Sequence, residues 1–155
     1  MDEKKGFVYT QAYFKFDYGR NHPLRIERLQ LAHNLMTAYG LFDLPDLILK
    51  ETEPALAEEI AGFHRPEYLD VLRRCGADHH NLEEALACGL GPGDNPVFDG
   101  VWDWSLLTTG ASLMCARMVA DGRTRVAFNP AGGLHHAQAG RASGFCYIND
   151  IVIAV

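Results

Sequence analysis

No Cys-x-x-Cys pair occurs in this chain. Cys75, Cys88, Cys115 and Cys146 are widely scattered, which argues against a zinc ribbon or a disulfide scaffold and favours reduced thiols in a cytoplasm. No basic block interrupts a formal net charge of −6, so no surface that grips nucleic acid is expected. No apolar run approaches the roughly 20 residues that a membrane span needs. The first residues, Met1-Asp2-Glu3-Lys4-Lys5, lack the apolar stretch of a secretory signal. Internal repeats, low-complexity tracts and obvious linkers are missing too. What remains is 155 residues, 48% apolar and 22% charged, enough for one globular domain with a core.

Phe7-Val8-Tyr9 and Leu47-Ile48-Leu49 read as short strands. A helix is expected over 25–39, where Ile26, Leu29, Ala32, Leu35, Met36 and Tyr39 recur at helical spacing and Gly40 closes the end. Pro54 and Pro66 each suit the first turn of a helix. The one after Pro66 is expected to bury Tyr68, Leu69, Leu72 and Cys75. Asn81-Leu82-Glu83-Glu84 has the pattern of a capping box. Residues 89–100 hold four glycines and two prolines and form a loop. From Val101 to Ala120 a long helix is apolar nearly all round, so it is buried on more than one side. Thr124 to Phe128 reads as an interior strand, stopped by Pro130. Helices and strands in alternation point to an α/β architecture with parallel strands.

The chain ends on a new apolar element, Asp150-Ile151-Val152-Ile153-Ala154-Val155. Five apolar residues there are exposed unless something covers them, so the chain reads as a fragment of a longer domain. A terminal helix docked in the core is the other reading.

Two loops carry the chemistry. Asn129-Pro130-Ala131-Gly132-Gly133-Leu134-His135-His136 sets two adjacent imidazoles on a glycine-rich turn just after an apolar strand, where open α/β sheets bind ligands. Histidine titrates between pH 5 and 8. One ring can therefore take a proton from water while its neighbour stabilises developing negative charge. The second loop, Gly144-Phe145-Cys146-Tyr147, sets an aromatic wall beside a backbone that can be approached closely, which suits a slot for an uncharged aliphatic chain. Cys75, Cys88 and Cys115 read as packing. Cys146 does as well, since nothing nearby orients a base toward it. Asp150 reads as a helix cap rather than a metal ligand. His22, His33 and His64 read as structural, and His79-His80 as part of a turn leading into a helix.

These runs, with Ala142-Ser143 and Asn149-Asp150, resemble the histone deacetylase family, including its bacterial acetoin-utilisation-type relatives. The likeness extends through Tyr18-Gly19-Arg20-Asn21-His22-Pro23, Arg28, His33-Asn34-Leu35, Tyr39-Gly40-Leu41, Phe63-His64-Arg65-Pro66-Glu67-Tyr68 and Asp94-Asn95-Pro96-Val97-Phe98-Asp99-Gly100. It implies an α/β fold: an incomplete arginase/deacetylase-like parallel sheet flanked by helices. Residues 1–155 would be the N-terminal part of one domain, truncated before the metal-binding run. The implied reaction is zinc-dependent hydrolysis of acetyl-lysine or a similar N-acetyl amine. By motif, His136 resembles the general base and His135 its electrostatic partner. Gly144 would accept the substrate N–H through its carbonyl, and Phe145 would wall the tunnel. Asp94 resembles a rim carboxylate that holds the substrate backbone, and Arg28 a channel residue. On the residues alone, Asp94 also fits a turn-former, Arg28 a surface charge and Phe145 core packing.

The family's zinc ligands lie in an Asp-x-Asp-x-His-His-Gly run and a further Asp, followed by a carbonyl-polarising Tyr. None has a counterpart before Val155. Zinc is thus expected for the complete enzyme and no metal for this piece, which is expected to be inactive alone. Two rivals stand beside this reading: a non-enzymatic module for oligomerisation or partner binding, and a hydrolase of acetylated polyamines or other small amides. A homo-oligomer through the apolar C-terminal segment is expected, with no membrane or nucleic-acid partner.

Overall fold

The computed structural model describes residues 4–77 and 81–155; His79 and His80 lie outside them. Three parallel strands form the sheet, β1 (Lys5–Tyr9), β2 (Leu47–Glu51) and β3 (Val126–Phe128), in the order β2-β1-β3. Phe7 pairs with Leu49 on one side and Phe128 on the other. Parallel neighbours need long crossovers. Helix α1 (Glu27–Ala38) makes the first, and α2 (Ala57–Ile60), α3 (Pro66–Gly76), α4 (Leu82–Ala87) and α5 (Val101–Ala120) lie along the second. The parallel α/β layers are those read from the sequence.

Strand β1 takes the centre because Phe7, Val8 and Tyr9 are all buried. At Gly6 a Cβ would meet Met118 Cε at 2.8 Å and Ala127 Cβ at 3.0 Å, so only glycine lets α5 and β3 close on the strand. The Thr124 to Phe128 segment is not interior, as expected, but an edge. Among the described residues it pairs with β1 alone, and Val126 and Phe128 are exposed.

The all-round apolarity of α5 has a plain cause, since β1, β3, α3 and a final short helix α6 (Asp150–Ala154) all pack on it. The chain at 53–55 crosses so near that a Cβ on Gly110 would lie 1.9 Å from the Glu53 carbonyl oxygen. Here the expectation at Pro54 fails. Ala55 N–H donates to the Leu106 carbonyl at 2.9 Å, which keeps the segment against α5 and delays α2 to Ala57. Pro66 does open α3, which buries Tyr68, Leu69, Leu72 and Cys75.

Two further expectations are corrected. Asn81 Oδ1 accepts from the N–H groups of Glu83 and Glu84, but Glu84 does not complete a capping box. Its carboxylate pairs with Arg74 at 2.8 Å, a charge-assisted bond that outcompetes a return to the cap. Leu35 in α1 and Tyr39, which follows its last residue, are exposed. At about 100° per residue they fall off the inward face set by Leu29 and Met36. His33 stacks between Tyr9 and Phe42, 4.3 and 4.8 Å from their centroids. No helix among the described residues is long and apolar enough to cross a membrane.

Candidate active site

The double-histidine loop is shaped from behind by buried polar groups. Asn129 donates through Nδ2 to the Thr108 carbonyl and to Ser112 Oγ, both at 3.0 Å, and accepts from Ala131 N–H through Oδ1. Asp150 is fully buried. Its carboxylate accepts from Gly133 N–H at 3.0 Å, from Leu134 N–H at 2.6 Å and from the Ser112 hydroxyl. A Cβ on Gly132 would lie within 2.7 Å of Asp150, Asn129 and Ser112 side-chain atoms, so the loop fits over this cluster only with glycine there. Asp150 is therefore not the cap expected from the sequence. Asn149 Oδ1 caps α6 by accepting from Val152 N–H, which frees the Asp150 carboxylate to face the loop.

His135 and His136 project from that scaffold to the surface, their ring centroids 4.2 Å apart. His135 Nδ1 lies 2.9 Å from the Gly133 carbonyl oxygen. A carbonyl only accepts, so Nδ1 carries the hydrogen and a neutral ring leaves Nε2 as a lone-pair acceptor. The His136 ring rests on Gly144, where a Cβ would stand 2.9 Å from its Cγ.

The second loop is a strained turn. Ser143 and Cys146 exchange backbone hydrogen bonds of 3.1 and 2.9 Å, and between them Gly144 and Phe145 have φ of +51° and +70°. A bulky residue at positive φ costs about 1–2 kcal/mol, and the surrounding bonds offset that. Tyr18 donates to the Phe145 carbonyl at 3.0 Å, Asn95 to that of Cys146 at 3.2 Å and Tyr68 to that of Tyr147 at 2.6 Å. The Cys146 thiol donates to the Gly144 carbonyl at 3.3 Å. Burial raises that thiol above its ordinary range, which agrees with a packing role.

Phe145 turns its ring onto the edge of His22, with centroids 4.7 Å apart. It lines an open cavity of about 470 Å³ with Tyr18, Arg20, His22, Asp94 and Pro96. His22 accepts from Leu24 N–H at Nδ1 and donates from Nε2 to the Asp94 carbonyl at 3.1 Å, which ties the Asp94 loop to this wall. The fold thus brings His136 to Gly144, and Phe145 to Asp94, around one turn. Arg28 stands apart, exposed on α1.

His64 is structural, as expected, but its link through Asn149 to the histidine loop was not foreseen. His64 is buried and accepts from Asn149 N–H at Nε2, 3.0 Å away. Asn149 Nδ2 in turn donates to the carbonyls of His135 and Ala137. Asn149 stands beside the Asp150 that was expected to cap the helix, and nothing local signalled its hold on the histidine loop.

Residues 22–155 match the family model for the histone deacetylase domain. The chain belongs to the histone deacetylase family. It is 36% identical over 150 residues to histone deacetylase RPD3 of Saccharomyces cerevisiae, covering 96% of this chain and 34% of that protein. Against human histone deacetylase 1 the identity is 37%, covering 96% and 31%. The chain therefore spans about a third of the length of these curated relatives. A solved HDAC homolog from Aquifex aeolicus superposes with a TM-score of 0.86 at 35% identity, over 98% of this chain and 40% of that one. An HDAC homolog complexed with SAHA gives 0.82 at 36%, over the same shares. The fold is thus that of the arginase/deacetylase class, of which this chain carries a three-stranded part. Among the described residues no three His, Cys, Asp or Glu side chains converge as metal ligands.

Proposed function

We propose that this chain is the N-terminal part of a zinc-dependent deacetylase acting on acetyl-lysine or a similar N-acetyl amine, and that it supplies the proton-transfer half of the site. The carrying observation is the pair His135 and His136, exposed on a loop that buried groups pin from behind, with Gly144 against His136. In hydrolysis, water adds to the acetyl carbonyl, the C–N bond breaks, and acetate and a free amine leave. His136 takes the proton from that water and returns it to the departing nitrogen. His135, held through Nδ1 by the Gly133 carbonyl, steadies the oxyanion when both ring nitrogens carry hydrogen and Nε2 is a donor rather than an acceptor. The Gly144 carbonyl accepts the substrate amide N–H. Phe145 walls the acyl chain, Asp94 holds the substrate backbone at the cavity mouth, and Arg28 lines an exit for acetate. The zinc requirement belongs to the complete protein, and residues 1–155 alone are inactive in this reading. The four free thiols support a cytoplasmic location.

A second reading has a specific observation behind it. Ile151, Val152 and Val155 are exposed, an apolar face suited to a second copy or a partner. Residues 146–150 are buried in the chain's own fold, so such a contact is confined to the outer side of α6.

The test is hydrolysis of an acetyl-lysine peptide with and without zinc, by residues 1–155 and by the complete protein. Zinc-dependent turnover in the complete protein alone is the expected result. Turnover by residues 1–155 would contradict the half-site reading, and none by either would contradict the deacetylase reading.

A further inference from the structure

We propose that Asn149 is a positioning residue for His136, its side-chain amide fixing the loop on both sides of that histidine. Asn149 Nδ2 donates to the His135 carbonyl at 3.2 Å and to the Ala137 carbonyl at 2.9 Å, the two residues that flank His136. Its other polar groups are all engaged as well. Oδ1 accepts from Val152 N–H at 3.1 Å, the main-chain N–H donates to His64 Nε2 at 3.0 Å, and the main-chain carbonyl accepts from Ile153 N–H at 3.3 Å.

This exceeds what a helix cap needs. Capping α6 takes one acceptor, which Ser, Thr or Asp would supply as well. The two N–H donors do nothing for the helix. Only a carboxamide offers an acceptor to α6 and two donors to the loop from one short side chain. His64 then fixes the clamp itself, since accepting from Asn149 N–H sets the point from which the side chain reaches. With the Asp150 carboxylate on Gly133 and Leu134 and Gly144 against the ring, Asn149 leaves His136 little backbone freedom. A proton-transfer group gains most from such fixed placement.

The inference rests on the reading of His136 as the proton-transfer group, and the test separates the two. Asn149→Asp keeps the α6 cap and deletes both donors; Asn149→Ala deletes both functions. In the complete protein, Asn149→Asp is expected to lower kcat about 10–100-fold with KM within about twofold, as Asn149→Ala does. The His136 ring resonances should shift or broaden in Asn149→Asp while those of His33 stay in place. Wild-type kcat and ring resonances in Asn149→Asp would make Asn149 a cap only and overturn the proposal. If the unaltered protein hydrolyses no acetyl amide, the role of His136 falls, while the ring resonances still decide whether Asn149 places it. If neither variant folds, the unaltered protein decides. Its Asn149 side-chain amide protons should exchange slowly and couple to the His135 and Ala137 carbonyls. Fast exchange without coupling would overturn the clamp.

Discussion

A Cβ placed on Gly144 would lie 2.9 Å from Cγ of His136 and 3.0 Å from its Cβ and Cδ2. The imidazole lies close against the glycine, so the turn over residues 143–146 sets where that ring can lie.

Gly144→Ala is therefore expected to displace His136. The left-handed conformation, φ +51°, adds about 1–2 kcal/mol for any residue with a Cβ. Turnover in the complete protein should fall about 10–100-fold, well beyond the modest loss of stability seen by urea unfolding. Unchanged turnover would mean that the ring has room to give.

Asp150→Ala should be costly to the fold. It strands the buried Leu134 N–H and Ser112 hydroxyl and the more exposed Gly133 N–H, and each unmet buried donor costs about 1–3 kcal/mol. A loss of roughly 3 kcal/mol or more in urea unfolding is expected. A loss below about 1 kcal/mol would show that water replaces the carboxylate.

His64 predicts a pH dependence. Burial pushes its imidazole below the ordinary 6.5, outweighing the pull of the nearby Gln138 and Ala139 carbonyls, and Nδ1 makes no hydrogen bond. The unfolded chain gains a proton as pH falls through about 6.5, while the folded chain does so only further down. The stability His64 contributes is thus complete above 6.5 and is lost as pH falls through the lower, folded value. Between pH 7.5 and 5 the urea midpoint of wild type should fall more steeply than that of His64→Gln. Equal slopes would place the acid sensitivity elsewhere.

The thiols should be inert. Burial raises all four, Cys75 and Cys115 to about 11. At pH 8 a thiol of that kind is thiolate only about once in a thousand. Alkylation should be slow in the folded protein and fast in urea. Rapid labelling of Cys146 in the folded state would revive it as a reactive group.

Local patterns were legible in the sequence. Helix α3 declares itself through Pro66 and α5 through apolar residues spread round all its faces, and the His135-His136 loop through its glycines. The failures are non-local. Whether Thr124 to Phe128 runs inside or at an edge depends on β1 taking the centre. Asp150 looks like a cap within its own window, yet meets Gly133 and Leu134 across the fold. The bond from Asn149 to His64 spans 85 positions, and no spacing rule reaches that far.

The central claim is that His136 moves the proton, and His136→Ala in the complete protein tests it most directly. Hydrolysis of an acetyl-lysine peptide should fall about 100-fold or more, with zinc content and unfolding midpoint near wild type. Turnover at the wild-type level, or zinc lost together with turnover, would contradict the account.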